Sequence, residues 1–97
     1  MNKIDQARML MKVKKIQKQL ENEIITVEKG DGAVKVEITG EQKLKRIHID
    51  PKYVDLDDIG LLERNIEDAV KQALSDSQKF AAERMGPIMG SLGDLGL

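Results

Sequence analysis

The sequence predicts an α+β domain with the element order α-β-β-β-α, on three observations. Apolar residues recur at helical spacing near both ends of the chain, and they alternate with polar residues in three short segments between. Gly or Pro stands at most changes of period. Short strands joined by tight turns read as an antiparallel meander with one wet face, and helices laid on the other face give two layers. Ninety-seven residues suffice for one such domain and not for two.

The first helix spans residues 2 to 22, a stretch without Gly or Pro in which Met9, Val13, Ile16 and Leu20 fall on one face. Asn2 is placed to cap it, with Asp5 three residues on as a capping-box acid. Ile25 and Val27 begin the strands. Val34, Val36 and Ile38 alternate with Lys35, Glu37 and Thr39, and Ile47 and Ile49 alternate with Arg46, His48 and Asp50. Gly30-Asp31-Gly32 and Gly40-Glu41-Gln42-Lys43 supply the turns. Leu44 is out of phase with Ile47 and Ile49 and reads as a turn or bulge residue. Pro51 holds Asp50 extended and closes the third strand.

A second helix follows, with Asp55, Asp57 and Asp58 at its start and Gly86-Pro87 as its expected end. Its apolar arc, from Ile59 through Leu62, Ile66 and Val70 to Phe80, is read as wider than one sheet contact needs. Ala69, Ala73 and Ser77 at its centre would let another backbone approach. The expected division is therefore a domain over residues 1–87 and a flexible, Gly- and Leu-containing tail over 88–97.

Composition narrows the function. Tyr53 and Phe80 are the only aromatics, so the core is aliphatic, and a small core without large anchors makes self-association expected. The absence of cysteine excludes disulfides, thiolate metal sites and a Cys nucleophile. Met9-Leu10-Met11 is too short an apolar run for a signal-peptide core or a membrane span, so a cytoplasmic protein is expected. The single histidine, His48, falls on the wet face of the sheet and lacks a second His or Cys to work with. The acids at 55, 57 and 58 have a sufficient account as helix-start residues, and neither glycine-rich stretch has the context of a phosphate loop. No enzymatic activity, metal, cofactor or small-molecule substrate is expected.

Charge is segregated. The chain as a whole carries −1, yet residues 1–20 hold six cations against Asp5, a net of +5, and the remaining 77 residues hold ten cations against sixteen acids, a net of −6. Arg8, Lys12 and Lys15 cluster on one side of the first helix, and Lys3, Lys14 and Lys18 spread along the other edge. Between them runs a second apolar stripe, Ile4, Ala7 and Met11, for which a lone protomer has no use. A partner surface formed by Ile4, Ala7, Met11, Ala69, Ala73 and Ser77 is expected on these grounds. Polyanion binding and a merely solvated lysine face with snorkelling stems account equally for the cations.

Taken together, the basic helix, the run Gly30-Asp31-Gly32-Ala33-Val34-Lys35-Val36-Glu37-Ile38-Thr39-Gly40, the segment Ile47-His48-Ile49-Asp50-Pro51 and the terminal Ala81-Ala82-Glu83-Arg84-Met85-Gly86 resemble the YbaB/EbfC family of bacterial nucleoid-associated proteins over essentially the whole chain. The resemblance implies a tight homodimer in a β/α/β three-layer arrangement, with protruding helices that grip duplex DNA at the nucleoid. It implies no enzymatic chemistry and no cofactor. Arg8, Lys12 and Lys15 are then the leading phosphate contacts, Lys3, Lys14 and Lys18 lie beside them, and Lys79 and Arg84, near the end of an antiparallel second helix, contribute a smaller share. Lys-rich helices meet phosphate as point charges, so affinity with little base discrimination is expected.

Two other classes compete. A helical-arm chaperone or scaffold of the prefoldin kind shares the order helix, hairpin, helix, but the first helix holds only about two clean heptads and starts basic. Membrane-surface attachment would need Trp or Phe on the first helix, which has neither.

Overall fold

The computed structural model describes residues 2–94. Helix α1 (Lys3–Asn22) leads into strands β1 (Ile24–Lys29), β2 (Val34–Thr39) and β3 (Leu44–Ile49), a single 3-10 turn over Pro51–Tyr53, and helix α2 (Ile59–Asp94). The strands form one antiparallel sheet in the order β1-β2-β3. The α-β-β-β-α order and the meander are as the sequence predicts.

Local chemistry explains the boundaries. The Asn2 side chain accepts the Asp5 N–H at 2.9 Å and starts α1. Gly30, Asp31 and Gly32 all take positive φ, the conformation that turns β1 tightly into β2. Asp50 accepts the Lys52 N–H at 3.0 Å and caps the 3-10 turn, and Asp58 accepts the Leu61 N–H at 3.2 Å at the start of α2. Leu44 belongs to β3. The register slips between Glu37 and Ile38, which face Arg46 and Leu44 respectively, so Lys45 is the extra residue of a bulge that returns Leu44 to the apolar face.

Helix α2 lies across β1 and β2 and does not reach β3. Val27, Val34, Val36 and Ile38 meet Ala69 and Ala73 in the core, with Ile25, Leu62, Ile66 and Val70 packed around them. Ala69, Ala73 and Ser77, expected at a partner surface, are 0% exposed within the protomer. Their small side chains do admit a close backbone, and that backbone is the chain's own sheet. Ser77 is also tied to the second turn. Its Oγ donates to the Thr39 carbonyl at 2.6 Å and accepts from the backbone N–H and Nε2 of Gln42.

The end of α2 departs from expectation. The helix continues through Gly86-Pro87 to Asp94, so residues 88–94 extend it instead of beginning a separate tail, and residues 95–97 lie outside the described residues. Proline removes one helical hydrogen bond and crowds one preceding turn. Packing here outweighs that cost, because Ile88, one residue beyond, is only 5% exposed.

Candidate nucleic-acid interface

The protomer measures 65 × 20 × 14 Å, a length set by the pairing of α1 with the far half of α2. At the base of this two-helix arm, Gly40 sits where a Cβ would meet the Leu20 carbonyl oxygen at 2.9 Å and Phe80 Cδ1 at 3.1 Å. Its N–H donates to the Glu23 carbonyl at 3.1 Å, which fastens the end of α1 to the sheet. Leu20 is buried, and Met9, Val13 and Ile16 are half-buried along the same face. On the α2 side Phe80, Ala81 and Met85 are half-buried and Ile88 is buried. The arm is thus zipped by the stripe read from the sequence, and α1 touches the sheet only along β2.

All six cations of α1, Lys3, Arg8, Lys12, Lys14, Lys15 and Lys18, are exposed. None of them forms an ion pair among the described residues. The contrast is with Lys71, which pairs with Glu67 at 2.6 Å, and Lys43, which pairs with Glu41 at 3.0 Å. Hydrogen bonding and then charge from Lys71 hold the Glu67 carboxyl below its ordinary value. On α2, Lys79 and Arg84 are exposed too, and the Arg84 guanidinium lies over the Phe80 ring, 5.0 Å from its centre. Ile4, Ala7 and Met11 are exposed along the outward side of α1, at 62% for Ile4 and 70% for Met11.

Sequence reasoning missed a second apolar surface. Leu44, Ile47 and Ile49 of β3 are 52%, 38% and 42% exposed, although they lie on the sheet face that α2 covers over β1 and β2. Leu74 and Ile59 of α2 are open as well. Their alternation and helical spacing were visible in the sequence; that α2 spans only two of the three strands was not.

Nothing brings catalytic groups together. His48 lies opposite Lys35 on the wet face and lines a shallow hollow with Glu28 and Asp50, without a hydrogen bond to either carboxylate. Among the described residues no cluster of three or more His, Cys, Asp or Glu could hold a metal ion, and no helix is long and apolar enough to cross a membrane.

The model of the YbaB/EbfC DNA-binding family matches residues 1–92. The chain belongs to that family. A nucleoid-associated protein of Ruminiclostridium cellulolyticum is 39% identical over 95 residues, covering 97% of this chain and 83% of the relative. One of Dictyoglomus turgidum is 33% identical over 81 residues, covering 84% and 78%. In structure, an uncharacterized protein of Helicobacter pylori superposes with a TM-score of 0.71 at 19% identity, covering 89% of this chain and 87% of that one, a likeness of fold. The family is described as a DNA-binding one, and these relatives are named nucleoid-associated proteins. The feature of this YbaB/EbfC chain that stands out from its sheet is the arm, and the cations on α1 are its chemistry.

Proposed function

We propose that the protein binds duplex DNA as a homodimer, chiefly through phosphate contacts from the basic face of α1, and so acts on nucleoid organisation and, through it, on gene expression in the cytoplasm. The observation that carries this reading is the set of six exposed, unpaired cations on one helix of a projecting arm. A cation already paired with a carboxylate must break that pair to meet a phosphate; these need not. Arg8, Lys12 and Lys15 are assigned the main contacts, Lys3, Lys14 and Lys18 the flanking ones, and Lys79 and Arg84 a smaller share from α2.

The dimer is supported by the uncovered third of the sheet. Three large aliphatic side chains side by side on β3, Leu44, Ile47 and Ile49, stand open on the face that α2 covers elsewhere, unlike the singly scattered apolar residues of an ordinary monomer surface. Covering it with the partner's α2 would place helices between two sheets and carry one arm from each protomer. Two arms bring a local +10, while the acidic remainder of the surface repels the duplex and orients it. Lys and Arg that neutralise about six to ten phosphates release counterions, so affinity should fall by roughly 10³- to 10⁵-fold between 50 and 200 mM salt. Fluorescence anisotropy on a random duplex across that range tests the proposal, and a flat response rejects it.

A further inference from the structure

We propose that the outward seam of α1, formed by Ile4, Ala7 and Met11, enters the major groove of the bound duplex and packs against thymine methyl groups, which gives the arm a preference for A·T steps. The inference rests on the phosphate-gripping reading above and adds a base-level contact to it. At 100° per residue these three side chains fall within about 60° of arc, directly opposite the Met9, Val13, Ile16 and Leu20 face that zips α1 to α2. Lys3 and Lys14 border the seam on one side, and Arg8 and Lys15 on the other. Ile4 and Met11 are among the most exposed large apolar side chains of the protein.

An apolar line edged by cations on both sides complements one surface above others. A helix about 10–12 Å across fits a major groove about 12 Å wide, and its bordering cations then reach both phosphate walls. The seam meets the floor. There the base edges are hydrogen-bonding groups except for the C5-methyl of thymine, which is the one apolar partner for Ile or Met. Carbonyl, ring-nitrogen and amino groups under the seam would instead lose water without gaining a partner. From Ile4 to Met11 the helix rises about 10 Å, the length of about three base pairs. Helix α2 stays behind α1, outside the groove. A protein occupant would need an apolar strip lined by acids on both edges.

The test uses the full chain and two pairs of duplexes. Duplexes of one A·T-rich sequence are compared with thymine or with uracil, which differs by the methyl alone, and a G·C-rich duplex is compared with cytosine or 5-methylcytosine. Uracil should weaken binding by up to about fourfold for each methyl wholly buried, and 5-methylcytosine should strengthen it. The Ile4→Ser/Met11→Ser variant should bind thymine and uracil duplexes equally, with the wild-type salt slope, helicity and sedimentation mass. Equal affinity of the wild type for the two duplexes at a steep salt slope overturns this inference and leaves phosphate gripping intact. A flat slope overturns both. Loss of dimer mass in the variant assigns the seam to a second copy and overturns the groove contact.

Discussion

Ser77 shows how much of this small fold depends on single polar contacts. Its hydroxyl joins α2 to the β2–β3 turn through Thr39 and Gln42, in the middle of an otherwise aliphatic interface. Ser77→Ala should cost about 1–3 kcal/mol, because buried partners lose a hydrogen bond that water cannot replace; urea unfolding with an unchanged m-value would read it. Gly40→Ala should destabilise by a similar amount, about 1–3 kcal/mol, since its methyl would be driven into the Leu20 backbone and Phe80. A variant melting like the parent would show that α1 can back away from the turn. Neither role was legible beforehand. A serine among small residues reads as space for a neighbour, and only the fold says which neighbour takes it.

At the level of elements, the two periods located both α-helices and all three strands, and charge segregation singled out α1 as the candidate for binding. The end of α2 was misjudged because Gly86-Pro87 is a local stop signal, whereas Ile88 is held by packing along the arm that a residue-by-residue reading cannot weigh. Ile88→Ala should therefore lower stability by about 2 kcal/mol or somewhat more, with the loss confined in hydrogen exchange to the outer half of the arm. Truncation after Gly86 should have the same local signature and leave the sheet protected; equal loss throughout the protein would contradict an arm built as an extension of the core. The bulge at Lys45 was half legible. Leu44 broke the alternation, but only the slipped register shows that the break turns it back toward the apolar face.

For the whole molecule, the uncovered β3 face is the surface proposed for a second copy, since the centre of α2 is closed against the chain's own sheet. Ile47→Asp should shift sedimentation from dimer to monomer at a cost on the order of 3 kcal/mol or more, while circular dichroism retains the protomer's helix and strand content. Ala73→Glu, at a position already closed within the protomer, should unfold the chain instead. A thin aliphatic core makes self-association an expectation from the sequence, and the uncovered β3 face proposed for it is visible only once α2 is seen to cover two strands of three. DNA binding by the arm is the central claim, and charge reversal on α1 tests it most directly. Arg8, Lys12 and Lys15 are exposed and unpaired, so replacing all three by Glu should leave helicity and dimer mass unchanged and abolish retardation of a random duplex at low salt. Retardation by the folded, dimeric triple variant at wild-type affinity would contradict it.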